Sequence, residues 1–189
     1  MTSLFLSNLT SHQALMAELP ALDGVLTAAG KALGERLRHG GKLMFCGNGG
    51  SAADSQHLAA ELTGRFMKDR RPLAGLALST DSSALTCIGN DYSFDDVFAR
   101  QVVALGRPGD ALLAISTSGN SANVLKAVQA ARELGVFTVG LLGRDGGRLR
   151  EVCDTAIVVP SQVTARIQEA HLLIGHTLCG MIEIELGVA

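Results

Sequence analysis

The chain of 189 residues has no tryptophan, one tyrosine and four prolines, and its charged residues nearly cancel to a net charge of −2. The scarcity of aromatic rings leaves few platforms on which nucleic-acid bases could stack. The balanced charge offers no basic surface to a phosphate backbone or to an anionic membrane. We therefore expect neither nucleic acid nor membrane as a partner.

Long apolar runs and paired cysteines are also missing. No segment reaches the roughly 18 consecutive apolar residues of a membrane span, and the start, MTSLFLSNLTSHQ, lacks the basic and apolar regions of a signal peptide. The cysteines lie far apart without a CxxC pair, at Cys46, Cys87, Cys153 and Cys179. This spacing favours small core residues over a disulfide framework or a thiolate zinc site. A soluble, reduced, cytoplasmic protein is expected.

Apolar residues make up 47% of the chain and alternate between two patterns. Short apolar runs, typical of buried strands, occupy 43–46, 74–78, 111–116, 137–142 and 156–160. Helical patterns occupy 51–66, 82–104, 121–134, 146–152 and 164–185. Apolar strands separated by helices predict a parallel sheet covered on both faces. We expect one α/β domain over 1–189, a doubly wound three-layer sandwich with a mainly five-stranded sheet of flavodoxin type.

Before the first strand, residues 1–38 form a helical segment. Apolar residues recur at helical spacing and are interrupted at Pro20, which predicts the end of one helix. A second helix should run to about Arg38, ahead of a glycine turn. We expect these helices to pack in an oligomer.

The loop after the first strand, CGNGGSA, is a glycine turn that leads into a helix. Residues 47–52 fit the dinucleotide fingerprint G-x-G-x-x-A, although Asp81 lies too far along the chain to be the usual ribose ligand. A tight turn without a ligand is the alternative interpretation.

The loop after the third strand, STSGNSAN, carries four hydroxyl groups around Gly119 just before a predicted helix. They belong to Ser116, Thr117, Ser118 and Ser121. Free N–H groups and the positive end of a helix dipole favour an anion there, and Ser121 is the expected N-cap. The loop lacks the GK[ST] ending of a triphosphate site, so a phosphate monoester fits better than ATP. Capping alone is the alternative.

Two predicted helices carry polar residues at positions that are otherwise apolar. His57 and Glu61 are four residues apart and share a helix face, where they could also be a solvated or internally satisfied pair. The last helix carries Gln168, Glu169, His171 and His176. The residues His57, Glu61, Gln168 and His176 together offer two imidazoles and two oxygens, a donor set that suits zinc.

The distance along the last helix between two of these residues restricts how all four could bind one zinc ion. Gln168 and His176 are eight residues apart, about 12 Å along an ideal helix. They could share a metal with extended side chains, across a break in the helix, or as ligands from different subunits.

Four motifs in order give a family resemblance that covers essentially the whole chain. They are CGNGGSAADSQHLAAELTGRF, GND at 89–91, STSGNSANVLKA and RIQEAHLLIGH. The sequence resembles the sugar isomerase (SIS) domain and, more closely, the phosphoheptose isomerases. The resemblance implies conversion of sedoheptulose 7-phosphate to glycero-manno-heptose 7-phosphate, the first step toward the ADP-heptose of lipopolysaccharide. It also implies a homotetramer with active sites between subunits and one zinc per site.

Carried over by motif, the resemblance implies a site residue by residue. The zinc ligands would be His57, Glu61, Gln168 and His176. The substrate contacts would be Asn48, Gly49, Gly50, Ser51, Glu61, Asn90, Asp91, Ser116, Thr117, Ser118, Ser121 and Gln168. Glu61 and His176 would be the acid/base residues of an enediol reaction, with zinc polarising the carbonyl. Ala165 is a departure, because some members carry an acidic residue there.

Two other classes of function remain as alternatives. SIS proteins without catalysis bind phosphosugars in transcriptional regulation or associate with the bacterial replication initiator. The presence of both Glu61 and His176 favours the enzyme. A Rossmann-type oxidoreductase is supported by the glycine turn alone.

The last helix predicts assembly. It is apolar around most of its circumference, more than a helix on one face of a sheet requires. The excess predicts burial against a second subunit, most simply in a dimer of dimers. We expect assembly to bring His176 and Gln168 to the His57–Glu61 pair.

Overall fold

The computed structural model describes residues 3–188. Its helices are α1 (Leu4–Glu18), α2 (Asp23–Arg38), α3 (Gly50–Thr63), α4 (Ser82–Asp91), α5 (Ala99–Leu105), α6 (Ala122–Glu133), α7 (Leu149–Val152) and α8 (Thr164–Leu186). Its strands are β1 (Leu43–Gly47), β2 (Gly75–Ala77), β3 (Ala111–Ser116), β4 (Phe137–Gly143) and β5 (Thr155–Val159). Among these residues, no helix combines the length and apolarity needed to cross a bilayer.

The five strands form one parallel sheet in the order β2-β1-β3-β4-β5. This is the flavodoxin-type order, and it confirms the predicted doubly wound fold. The order reverses between β1 and β3, where ligands bind beyond the carboxyl ends of the strands in such sheets. The two loops singled out in the sequence, after β1 and after β3, therefore flank this switch point.

The sheet is covered on both faces because neighbouring residues of a strand point in opposite directions. Leu43 and Phe45 join a core with α2, α3 and α8, whereas Met44 and Cys46 join a core with α5 and α6. All five residues of β1 are buried. A strand enclosed in this way reads as an uninterrupted apolar run, which is why the sequence pattern located it.

The predicted helix over 82–104 is wrong, because the structure divides it. α4 ends at Asp91, a short 3-10 turn spans Phe94–Asp96, and α5 begins at Ala99. Ser93 is extended and its hydroxyl donates to Asp96, which stabilises a turn in place of a continuous helix. Cys87 on α4 is exposed, so the prediction that every thiol is a core residue fails there.

The N-terminal helices differ in how they pack. A 3-10 turn over Leu19–Leu22, which contains Pro20, separates α1 from α2, as the proline predicts. α2 packs closely on α8 because its glycines leave room. A Cβ at Gly30 would lie 2.7 Å from Cβ of Met181, and one at Gly34 the same distance from Cβ of Glu185. α1 buries only Leu15 within the described chain.

The buried side chain of His171 connects α8 to the sheet. It is 1% exposed, and its Nε2 lies 3.0 Å from the carbonyl oxygen of Leu142 at the end of β4. The ring must donate from Nε2, since the carbonyl can only accept. Burial lowers the pKa of His171 to about 4, partly opposed by this hydrogen bond.

We predict that this lowered pKa makes the fold sensitive to acid. The unfolded chain binds a proton on His171 near pH 6.5, whereas the folded chain resists protonation until about pH 4. The contribution is complete above pH 6.5 and is lost as pH falls toward 4, by about 3 kcal/mol in total. Urea unfolding across this range should show a shallower pH dependence for His171→Gln, which keeps a donor but does not titrate. Identical slopes for both proteins would contradict the assignment.

Candidate active site

Helices α3 and α8 run in the same direction and contact one another along their length. Gly50 at the start of α3 meets the side chain of Gln168, and Leu58 in the middle meets Gly175. A Cβ at Gly175 would lie 2.6 Å from Cδ1 of Leu58, so a larger residue there would force the buried Leu58 side chain or the two helices to shift. The contact sets the register that brings His57 of α3 beside His176 of α8.

The predicted residues His57, Glu61 and His176 meet in one chain. The Nε2 atoms of His57 and His176 are 2.7 Å apart. Oε1 of Glu61 is 3.4 Å from Nε2 of His57. The imidazole rings meet edge to face, with centroids 5.0 Å apart. The His57 side chain is 45% exposed and that of Glu61 20%, so substrate can approach the cluster from solvent.

The donor atoms of this cluster suit a metal ion. One ligand atom from each of the three residues lies within 4.8 Å of the others. Two imidazole nitrogens this close must share a proton or direct lone pairs at a common cation, and the carboxylate adds negative charge. Two nitrogens and an oxygen are a catalytic zinc donor set. The residues present therefore fit the predicted metal.

Gln168, the fourth predicted ligand, lies at the glycine turn. Its side-chain amide contacts Gly50, two helical turns from His176. α8 is continuous from Thr164 to Leu186, so a break between Gln168 and His176 is excluded. His176 reaches His57 without a second subunit, and our expectation that assembly supplies His176 is wrong. The place of Gln168 in the ligand set stays a prediction.

The first loop is shaped for close approach of a ligand to backbone. Gly49 has φ +56° and is exposed, with nothing within 4 Å of a Cβ placed on it. Ser51 is buried at the start of α3. The side-chain amides of Asn48 and Asn123 exchange two hydrogen bonds of 2.9 and 2.8 Å. This reciprocal pair ties the first loop to the helix that follows the second loop.

The second loop brings two of its hydroxyls together at the start of α6. Ser121 is the N-cap of α6, as predicted, but its side chain does not cap the helix. Its Oγ lies 3.0 Å from Oγ of Ser116, which also accepts from the N–H of Gly119 at 3.1 Å. Oγ of Ser118 accepts from the N–H of Asn120, and Thr117 is half-buried. The loop is thus a compact group of hydroxyls at a helix start, the arrangement expected of an anion site.

Asn90 and Asp91 lie apart from these elements, at the exposed end of α4. Asn90 donates to Oδ1 of Asp91 at 2.8 Å, and Cys87 donates to Oδ2. Hydrogen bonds from Asn90 and Cys87 hold the pKa of Asp91 below its usual value. Between residues 3 and 188, no hydrogen bond connects either predicted contact with the histidine cluster.

Two residues that lie near the cluster were not identified from the sequence. The Phe66 ring stacks on His176 with centroids 5.6 Å apart. Burial raises the pKa of Asp54, while the nearby His57 and His176 act to lower it. Asp54 precedes His57 by three residues and so shares its helix face, a signal available in the sequence. Phe66 follows the end of α3, where no periodicity could have located it.

The fold and this geometry define an α/β protein with a hydroxyl-rich loop at the carboxyl edge of its sheet and a histidine–carboxylate cluster between α3 and α8. The family described as SIS domain matches residues 9–143. A phosphoheptose isomerase of Rhodospirillum rubrum is 62% identical over 160 residues, 85% of this chain and 81% of that protein. One of Aliarcobacter butzleri is 54% identical over 98% of this chain and 99% of its own.

Solved structures agree with the sequence relatives. The phosphoheptose isomerase of Neisseria gonorrhoeae superposes with a TM-score of 0.90 and 46% identity, covering 95% of this chain and 97% of its own. The chain belongs to the SIS domain family and, within it, to the phosphoheptose isomerases. It is an enzyme of the isomerase class.

The Asn48–Asn123 pair generates a prediction about the site. Asn123→Leu should leave the half-buried Asn48 amide without its partner and destabilise the fold by about 1–3 kcal/mol. Chemical denaturation would measure this loss. Gln129→Leu, on the exposed side of the same helix, is the matched control and should change stability little. Equal effects of the two substitutions would show that the amide pair does not hold the loops together.

Proposed function

We propose that the protein isomerises D-sedoheptulose 7-phosphate to D-glycero-D-manno-heptose 7-phosphate, an aldose phosphate. The observation that carries the proposal is the meeting of Glu61, His57 and His176 in a member of the phosphoheptose isomerase family. A regulatory SIS protein that only binds phosphosugar has no need of an acid/base cluster. The product would supply the ADP-heptose of lipopolysaccharide.

The reaction moves two protons and consumes no co-reactant. A base removes a proton from C1 of the ketose, and the electron pair forms the C1=C2 bond while O2 gains a proton. In the second half, O1 loses its proton, the C1=O1 bond forms, and C2 receives a proton. The enediol between these halves requires one group at carbon and one at oxygen, each typically worth about 10²–10⁴ in rate.

We assign the carbon transfer to Glu61 and the oxygen transfer to His176. Oε1 of Glu61 faces His57, which leaves the second carboxylate oxygen for the substrate proton. His176 can donate or accept at its ring nitrogens, as transfer between O1 and O2 requires. Glu61 is only partly exposed, so a bound sugar would shield the exchanging proton from bulk water.

His57, Glu61 and His176 would hold zinc, with Gln168 as the predicted fourth ligand. When bound, the ion supplies a Lewis acid that polarises the carbonyl and stabilises negative charge on the sugar oxygens. Gln168 would also contact substrate at the glycine turn, since its amide lies against Gly50. Asn48, Gly49 and Ser51 would contact the sugar along the same turn.

The phosphate would bind the second loop. The hydroxyls of Ser116 and Ser121 meet there, Ser118 and Thr117 belong to the same loop, and the N-terminus of α6 adds a partial positive charge. We retain Asn90 and Asp91 as substrate contacts. Because they lie on the exposed end of α4, they would approach the sugar from a neighbouring subunit.

Exposed apolar residues support assembly into a homotetramer with active sites at subunit interfaces. On α1, Leu4 is 78% exposed and Phe5 71%; on α8, Leu173 is 50% exposed and Ile184 69%. Together they give two unpaired apolar helix faces, which a closed symmetric assembly would cover.

The first prediction from the proposed function tests the chemistry. Glu61→Gln and His176→Ala should lower kcat at least about 10²-fold, since each removes a proton-transfer group. Sedoheptulose 7-phosphate would be the substrate and aldose phosphate the product assayed. Wild type treated with a chelator should also lose activity and regain it with zinc. His39→Ala, at the exposed end of α2, is the control, and full activity of either site variant would overturn its assigned role.

The second prediction places the phosphate. Ser118→Ala and Ser121→Ala should raise KM more than they lower kcat, because they contact a group remote from the reacting carbons. Initial-rate kinetics separate the two effects. Thr27→Ala, at an exposed position of α2, is the control. A sugar phosphate bound with its phosphate on the CGNGGS turn would refute the assignment.

The third prediction concerns assembly. Phe5→Glu should shift the particle mass measured by light scattering from the tetramer to smaller species, because it places a charge in an apolar interface. Activity should fall with dissociation, as it should when wild type is diluted. Val103→Glu is the control, because it replaces an exposed apolar residue of α5 with the same charged residue. Dissociation by Val103→Glu alone would locate the interface elsewhere.

A further inference from the structure

A buried ion pair lies next to the histidine–carboxylate cluster and is not explained by substrate binding. Arg70, in the loop after α3, donates from Nε to Oε1 of Glu183 on α8 at 2.6 Å. The two side chains are 2% and 1% exposed. Withdrawing two charges from water is costly, and such a pair is weak evidence for stability by itself. The pair therefore needs another explanation.

Arg70 holds the end of the helix that carries Glu61. Its Nη2 donates to the carbonyl oxygen of Glu61 at 2.7 Å, and Nη1 donates to those of Leu62 at 2.9 Å and Gly64 at 3.2 Å. The last carbonyls of a helix have no partner within the helix, and a cation there also complements the helix dipole. One guanidinium thus fixes the backbone of the residue assigned as the base.

Glu183 holds the residue that packs on His176. Its Oε1 also accepts from the backbone N–H of Phe66 at 3.3 Å, and the Phe66 ring stacks on the His176 imidazole. Glu183 is two helical turns beyond His176 on α8. A single carboxylate oxygen is therefore connected to Glu61 through Arg70 and to His176 through Phe66.

We propose that Arg70 and Glu183 are positioning residues that fix Glu61 and His176 relative to each other. Arginine suits the role because its planar fork presents several donors in fixed directions, whereas lysine offers a single charged point. The second oxygen of Glu183 has no partner among the described residues, so the carboxylate is held from one side by this loop. The kinetic part of the inference rests on the proposed isomerase activity.

The test separates positioning from stability. In Arg70→Met/Glu183→Leu both charges are replaced by apolar groups, a change that buried pairs often tolerate. We expect a folded protein with kcat lowered about 10²-fold and KM little changed, because small displacements of catalytic groups are costly. If the double variant does not fold, Arg70→Lys, which keeps the charge, replaces it in these measurements. Arg38→Met, which removes the exposed partner of Glu185 on α8, is the matched control.

Two further measurements do not depend on turnover. The ring resonances of His176 in NMR spectra, identified by their absence in His176→Ala, should report the stacked Phe66 ring. We expect them to shift both in the double variant and in Phe66→Leu. Zinc affinity, from competition with a chromophoric chelator, should fall at least about tenfold in the double variant, as it does when supporting residues around a metal are lost.

The outcomes are distinguishable. A folded double variant or Arg70→Lys variant with wild-type kcat and unchanged His176 resonances would overturn the inference. If wild type fails to isomerise sedoheptulose 7-phosphate, the proposed function is wrong, while the His176 resonances still decide whether the pair positions the site. Loss of turnover and shifted resonances in the variants, with neither in Arg38→Met, would support positioning.

Discussion

The close contact between Leu58 and Gly175 is the constraint on which the site depends. It sets the register of two parallel helices, so the polar residues one position away, His57 and His176, face each other beside it. Without a side chain at position 175, α8 lies near enough to α3 for the imidazole nitrogens to meet. On its other side α8 rests against the glycines of α2, so it is wedged between two helices. Packing, and not a local motif, therefore brings the two histidines together.

Hydrogen bonds and an ion pair join the elements that form the candidate site. The loops after β1 and β3 flank the reversal of strand order, and the Asn48–Asn123 amide pair ties the first of them to α6, the helix that follows the second. His171 pins α8 to the end of β4, and the Arg70–Glu183 pair joins α8 to the end of α3. His171, Arg70 and Glu183 lie outside the groups that would touch the sugar, whereas Asn48 belongs to the first loop itself. The exposed chemistry is thus supported by buried polar contacts, each of which needs its partner to be tolerated in the interior.

Much of the fold could be predicted from the sequence, because enclosed strands such as β1 appear as uninterrupted apolar runs. The loops after β1 and β3 could also be located, since their glycines and hydroxyls follow the strands directly. The break between α4 and α5 could not be predicted, because it depends on a local hydrogen bond from Ser93 to Asp96 that hydrophobic periodicity does not report. Spacing identified His57 and Glu61 as a pair, but their meeting with His176 depends on the register of α3 against α8. The roles of Phe66 and Arg70 could not be predicted, because the contacts that define them join a loop to a helix more than a hundred residues later.

The parallel direction of α3 and α8, shared by α6, has an electrostatic consequence. All three helices begin at the carboxyl edge of the sheet, so their N-terminal partial charges converge on the same region. A protein with a net charge of −2 thereby presents a locally positive field to an anionic ligand. Such a field fades within a Debye length of about 8 Å at physiological ionic strength. Capture of a sugar phosphate would then depend on short-range focusing at the site and not on attraction by the whole surface, and its association rate would vary little with salt.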